Sequence, residues 1–101
     1  MAVLHASTSF DQVMATLPDG EQAILVRTGE TVRAFRNRCP HLGINLDWGD
    51  GRCLKEPGIL VCSMHGALFA ADSGRCLAGP CAGDALDPVA IRVVDGRIET
   101  A

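Results

Sequence analysis

Two short cysteine–histidine pairs constrain this chain more than any other feature of its sequence. One residue separates Cys39 from His41, and two residues separate Cys62 from His65. Glycine follows each pair closely, which is typical of tight turns. Thiolate and imidazole groups are common ligands of zinc and of iron in proteins. The pairs therefore predict a metal centre, and the fold has to bring two separate loops together around it.

The spacing of the pairs leaves two kinds of centre open. Residues 42–61 lie between them, which is sufficient for a hairpin that brings both loops to one tip. Two cysteines and two histidines could hold one tetrahedral Zn²⁺ ion, or a two-iron, two-sulfide cluster with the cysteines on one iron and the histidines on the other. Zinc sites usually group cysteine with cysteine and histidine with histidine. Each loop here mixes one of each, which favours a centre with two metals.

The composition indicates one folded domain. The chain has 101 residues, 48% of them hydrophobic, and a net charge of -3, so we expect a modest core and no extensive disorder. No basic run suggests binding to nucleic acid or to an anionic membrane. The longest aliphatic stretch, residues 23–26, is too short to span a bilayer.

The cysteine count and the N-terminal residues indicate a reducing compartment. The chain has five cysteines, an odd number, and its first residues lack the charged and apolar segments of a secretory signal. This pattern favours metal ligation over a disulfide framework, so we expect a cytoplasmic protein. Three cysteines lie outside the two pairs, and we interpret Cys53, Cys76 and Cys81 as buried thiols.

The patterning predicts an all-β fold made of short strands. The predicted strands are 3–5, 22–27, 31–38, 59–61, 89–93 and 97–100. Turns are predicted at 28–30, at Pro57-Gly58 and at Asp95-Gly96, the last being a strong hairpin signal. These elements suggest an antiparallel base from both ends of the chain, residues 1–38 and 82–101. The loop-rich residues 39–81 would form an inserted subdomain that carries the metal centre.

One short helix is predicted near the N-terminus. Ser9 fits a helix N-cap, and Gln12 stands where it would complete a capping box. The apolar residues that follow have the spacing of one helical face. They are Phe10, Val13, Met14 and Leu17.

The two motifs resemble those of the Rieske-type [2Fe–2S] proteins, above all the small stand-alone Rieske ferredoxins. The matching segments are Cys39-Pro-His41-Leu-Gly43, Cys62-Ser-Met-His65-Gly66, Phe69, Asp72, Gly74, Gly79-Pro80 and the C-terminal hairpin, so the resemblance covers about residues 22–100. It implies a Rieske-like antiparallel β sandwich with one [2Fe–2S] cluster. It further implies that Cys39 and Cys62 bind one iron, that His41 and His65 bind the other, and that Pro80 lies in a third loop over the cluster.

Four positions depart from the high-potential branch of that family. Its respiratory members carry a disulfide beside the cluster, where this chain has Ile44 and Met64. They also donate hydroxyl groups to the cluster sulfurs from positions that are Ala67 and Phe69 here. Fewer hydrogen bonds to the sulfurs stabilise the reduced state less. The sequence therefore predicts a potential near the low end of the Rieske range, roughly -150 to +300 mV.

The residues outside the motifs suggest no catalysis. We find no nucleophilic triad, no phosphate-binding glycine loop and no carboxylate dyad, and we predict no pocket for a small-molecule substrate. The chain is expected to be a one-electron carrier and not itself an enzyme. The resemblance implies redox partners such as a flavin reductase and a Rieske oxygenase. Two alternatives remain: an accessory subunit of a larger redox enzyme such as a nitrite reductase, and a structural zinc module.

Overall fold

The structure is a computed structural model that describes residues 3–6, 10–29, 31–38, 46–47, 52–62, 66–79 and 83–101. These residues form β-strands and no helix, which confirms the all-β prediction. The strands are β1 (Val3–Ala6), β2 (Gln12–Thr16), β3 (Gln22–Thr28), β4 (Thr31–Arg36), β5 (Leu54–Glu56), β6 (Ile59–Val61), β7 (Leu68–Ala70), β8 (Cys76–Ala78), β9 (Ile91–Val94) and β10 (Arg97–Thr100). They pair in three antiparallel sheets, ordered β1-β10-β9, β2-β3-β4 and β5-β6-β7-β8. In this part of the chain no helix is long and apolar enough to cross a membrane.

Strand β3 is the centre of the molecule. Its residues Ala23 to Val26 are all fully buried. Successive side chains of a strand point to opposite faces. Ile24 and Val26 accordingly join one core cluster, with residues from β6 and β7, and Leu25 joins a second, with residues of the terminal strands. The β2-β3-β4 sheet therefore separates two cores and forms the middle layer.

The predicted N-terminal helix is wrong. Residues Gln12 to Thr16 form β2, which pairs with β3 in continuous register from Gln12 opposite Val26 to Thr16 opposite Gln22. Met14 packs against the first core, whereas Val13 and Ala15 belong to the second. A helix would have placed Val13 and Met14 on one face. Here two cores, one on each face of the sheet, take up alternate residues, and pairing with β3 outweighs the local helical pattern.

Strands from the two ends of the chain pair in one sheet. β1 and β9 flank β10, with Val3 opposite Glu99 and Arg97 opposite Val94. Asp95 and Gly96 connect β9 to β10 with φ values of 49° and 75°. Positive φ at both central residues is the geometry that an Asp-Gly pair favours in a two-residue hairpin, because its twist matches that of the strands.

Candidate metal centre

The second predicted ligand loop begins at Cys62, directly after β6. Cys62 is fully buried and belongs to the first core. Its backbone N donates to the carbonyl O of Ala67 at 2.9 Å, and the N of Gly66 donates to the carbonyl O of Cys62 at 2.8 Å. Two main-chain hydrogen bonds thus close the loop around residues 63–65. His65, the other predicted ligand of this loop, lies outside the described residues.

The ends of the first predicted ligand loop are joined by a side chain. Cys39 and His41 lie outside the described residues, but Asn37 before them and Leu46 and Asp47 after them are described. The N of Leu46 donates to Oδ1 of Asn37 at 2.8 Å, and Nδ2 of Asn37 donates to Oδ1 of Asp47 at 2.8 Å. Asn37 and Asp47 are both buried. We call this set, Asn37 with Leu46 and Asp47, the first stem.

Both loops are attached to the same core. Leu46 of the first stem and Cys62 are each fully buried and belong to one cluster. We call Cys62, Gly66 and Ala67 the second stem. Of the four predicted ligands, the structure describes Cys62 alone. Each stem contributes a buried residue to this one cluster, as a metal centre shared by the two loops would require.

Gly79, just before the predicted third loop, packs closely against Ala67 of the second stem. Gly79 has φ 108°, and a Cβ built there would lie 2.8 Å from Cα of Ala67. Real Cβ atoms do not approach backbone so closely, and a positive φ of this size is essentially restricted to glycine. Pro80 follows Gly79 and lies outside the described residues. The glycine is therefore what lets this segment pack directly beside Ala67.

Opposite charges surround the entry to the first loop. Arg36 pairs with Asp19 at 2.9 Å and with Glu21, and Arg38 pairs with Glu21 at 2.6 Å. The backbone N–H of Glu21, and then the Arg36 guanidinium, hold the pKa of Asp19 below its ordinary value. These side chains are partly exposed, so each pair contributes little stability. Their effect is to neutralise the arginines next to Cys39.

The described surroundings suit a bound metal centre. Cys62 lies in an apolar cluster, and Ala67 and Phe69, both fully buried, bring no hydroxyl group to it. Two thiolates and two imidazoles are the donor set of a Rieske-type cluster, and the same set could bind zinc. The residues fit either group.

The sequence did not predict the first stem, and it predicted the burial of the remaining cysteines only in part. The buried pair of Asn37 and Asp47 has one recognisable signal, a short polar side chain that directly follows a strand and precedes a predicted ligand loop, but the sequence does not reveal its partner. Cys53 is buried as predicted, whereas Cys76 is half-buried, with its Sγ 3.4 Å from the O of Ala78. Cys81 lies outside the described residues.

Comparison with known proteins distinguishes between the two possible metal centres, a [2Fe–2S] cluster and a single zinc ion. The family model of the Rieske [2Fe-2S] domain matches residues 2–94. A curated relative, oxidoreductase NdmD of Pseudomonas putida, is 37% identical over 79 residues, which are 78% of this chain and 13% of that protein. The chain therefore spans about an eighth of that relative's length.

Two solved structures share the fold. The ferredoxin of carbazole 1,9a-dioxygenase from Nocardioides aromaticivorans IC177 has a TM-score of 0.75 and 25% identity, over 100% of this chain and 95% of that one. The terminal oxygenase of carbazole 1,9a-dioxygenase from the same organism has a TM-score of 0.79 and 20% identity, over 98% of this chain but 29% of that one. The chain is thus similar in extent to the ferredoxin and to a minor part of the oxygenase.

Proposed function

Since the chain belongs to the Rieske [2Fe–2S] domain family, a family that implies one [2Fe–2S] cluster, we propose that it carries single electrons between a reductase and an oxygenase or similar redox enzyme. One observation carries this proposal. A ferredoxin of a dioxygenase system covers 100% of this chain, and this chain covers 95% of it. The chain then acts as an electron-transfer component and not as a catalyst. The partners would be redox proteins such as a flavin reductase and a Rieske oxygenase.

We propose that Cys39 and Cys62 bind one iron and that His41 and His65 bind the other. The burial of Cys62 and the shared core beneath the two stems support this ligand set. When bound, the cluster supplies a centre that gains and loses one electron. The hydrogen bonds of the two stems hold the described ends of the ligand loops, and the apolar core keeps water away from the Cys62 thiolate.

The division of the chain and its location are proposed as well. The β5-β6-β7-β8 sheet lies within residues 39–81, and β1, β9 and β10 join the two ends of the chain. This supports a base of residues 1–38 and 82–101 with an inserted cluster-binding subdomain. The odd number of cysteines favours a reducing compartment, so we propose the cytoplasm.

Cluster analysis of the purified protein tests the proposal. We expect about two irons and two labile sulfides per chain, and a Rieske-type electron paramagnetic resonance spectrum after reduction. His65→Ala should lose that signal. One zinc and no sulfide would contradict the proposal and identify a structural zinc module. With the cluster established, electron transfer from a flavin reductase to a Rieske oxygenase should depend on the wild-type protein and fail with the His65 variant.

The relative NdmD favours a second candidate, a redox domain that works inside a larger oxidoreductase. That protein shares 37% identity over 79 residues, and the match is 13% of its length. In this role the protein would form a lasting complex with its enzyme instead of exchanging between partners. Size-exclusion chromatography with the redox partner distinguishes the two: a carrier elutes separately, and an accessory domain elutes with its enzyme.

The redox potential stays a prediction. Ala67 and Phe69 have no hydroxyl to donate to a cluster sulfur, and both are fully buried. A redox titration should therefore place the midpoint near the low end of the roughly -150 to +300 mV Rieske range. A strongly positive midpoint would show that other donors compensate for the missing hydroxyl groups.

A further inference from the structure

We propose that Asn37 is a positioning residue for the cluster, because its side-chain amide fixes the separation and orientation of the two ends of the first ligand loop. The inference rests on the proposed function, in which Cys39 and His41 of that loop are ligands. Asn37 itself binds no iron in this proposal. It acts through the chain segment that it closes.

The amide of Asn37 uses both kinds of hydrogen-bonding group at once. Its Oδ1 accepts from the N of Leu46 at 2.8 Å, and its Nδ2 donates to Asp47 Oδ1 at 2.8 Å and to Gln22 Oε1 at 3.2 Å. Its backbone N donates to the O of Gln22 at 2.9 Å. Asn37 is 5% exposed, so these contacts are formed largely out of water. The residue therefore connects the end of the central sheet to the far end of the ligand loop.

The chemistry of the contact requires an amide at position 37. An aspartate has no donor and would place a second carboxylate against Asp47 in a buried site, where like charges repel. An alanine would leave the N of Leu46 and the Asp47 carboxylate without this partner, and buried polar groups that lose a partner destabilise the structure. Asparagine alone of these three serves both neighbours.

We call the side-chain contacts of Asn37 with Leu46 and Asp47 the clamp. Losing the clamp should disturb the positions of the proposed ligands more than the structure of the sheet. The main chain of Asn37 is already held by its bond to Gln22, and Leu46 is held by the apolar core. Removing the amide therefore leaves each end attached to its own part of the fold, but removes the direct link that fixes one end relative to the other. Losing a hydrogen bond made directly to a metal ligand typically lowers metal affinity by about 10–100-fold. Asn37 bonds to the chain beyond the ligands and not to a ligand, so we expect an effect at the lower end of that range.

The test compares two buried amides in the cluster-loaded protein. Gln12 is 1% exposed, and its Oε1 accepts from the N of Cys53 at 3.0 Å, so it also connects distant segments, and among the described residues its side chain bonds to neither stem. We expect Asn37→Ala and Gln12→Ala both to lower the thermal midpoint of unfolding. Only Asn37→Ala should release iron to a chelator faster, by about tenfold or more, and broaden or shift the paramagnetic resonance signal.

Exchanging the side chains of positions 37 and 47 provides a second test, which does not require the alanine variant to fold. Asn37→Asp should release iron about tenfold faster than wild type. Adding Asp47→Asn restores one donor and one acceptor across the same contact, and should return the release rate most of the way to the wild-type value. Iron release and spectra equal to wild type in Asn37→Ala and Asn37→Asp would overturn the proposal, as would a double variant no better than Asn37→Asp alone. A wild-type protein without a [2Fe–2S] cluster would instead refute the proposed function.

Discussion

The two stems hold their loops by different means. The first is closed by the side chain of Asn37, which contacts Leu46 and Asp47. The second is closed by main-chain bonds among Cys62, Gly66 and Ala67. Main-chain bonds are available to almost any residue, whereas a side-chain clamp depends on one residue type. We therefore expect the first loop to be sensitive to substitution of a residue that is not a proposed ligand. We expect the second loop to be sensitive to substitution of its proposed ligand, Cys62, and of Gly79, which packs against Ala67.

The largest effect should come from Cys62, the proposed ligand in the second stem. Cys62→Ala should abolish the [2Fe–2S] cluster, because a thiolate ligand is lost and no main-chain bond replaces it. Cys53→Ala is the matched control, since Cys53 is 2% exposed and lies in the same core cluster. We expect Cys53→Ala to retain about two irons and two sulfides per chain, as measured by iron and sulfide analysis. Loss of the cluster in both variants would mean that the core as a whole, and not the ligand, determines its retention.

The next effect concerns the apolar support of the first stem. Leu46→Ala should lower the free energy of unfolding by roughly 2–5 kcal/mol, the usual cost of such a cavity, and should also speed iron release. Leu86→Ala removes a similarly buried leucine of the same cluster that belongs to neither stem. Denaturant titration should show comparable destabilisation in the two variants. If Leu86→Ala released iron as fast as Leu46→Ala, position 46 would have no special role beyond stability.

The contrast between the stems also explains what the sequence could predict. The all-β class and the Asp95-Gly96 hairpin follow from local signals, which are strand composition and turn chemistry. The ligand set is also read from a local signal, residue type at a fixed spacing, and stays a proposal. Strand β2 could not be predicted from local signals, because residues 12–16 form a strand by pairing with β3 and by packing into the two cores on either side of the sheet. The first stem could not be predicted either. The contacts of Asn37 with Leu46 and Asp47 span 9 and 10 residues, and the sequence shows only two polar side chains, at positions 37 and 47. Long-range pairing determines both.

Packing against the second stem should give a smaller effect. Gly79→Ala forces a Cβ against the backbone of Ala67, whereas at Gly83, whose φ is 97°, a Cβ meets nothing within 4 Å. Both variants incur the strain of a positive φ, on the order of 1–2 kcal/mol, and only Gly79→Ala adds a clash. Thermal unfolding should therefore show Gly79→Ala as the less stable of the two, with a shifted midpoint potential as well. Equal melting temperatures and equal potentials would indicate that the chain before Pro80 moves away from Ala67 without consequence.

The smallest effect on iron release is expected from Arg52→Gln, which tests whether a surface contact also supports the first stem. Arg52, five residues beyond Asp47, holds Asp11 with two hydrogen bonds of 3.1 Å and 3.0 Å and donates to the O of Gln12 at 2.9 Å. The Arg52 hydrogen bonds, followed by the N–H of Gln12, lower the pKa of Asp11 from 3.8 to about 2. The ionised carboxylate is the favoured form in the folded state. Its stabilising effect is therefore present above pH 3.8, and is lost as the pH falls toward 2.

A carboxyl titration by nuclear magnetic resonance can measure this support directly. In Arg52→Gln the pKa of Asp11 should rise toward its ordinary value, because its main hydrogen-bond donor is gone. Asp19 is the internal control, since the N–H of Glu21 and the Arg36 guanidinium lower its pKa and neither is changed. The Asp11 side chain is exposed, so iron release should stay close to the wild-type rate. A marked increase in iron release would show that the first stem depends on this surface contact as well as on Asn37, and would extend the clamp from the buried amide to the edge of β2.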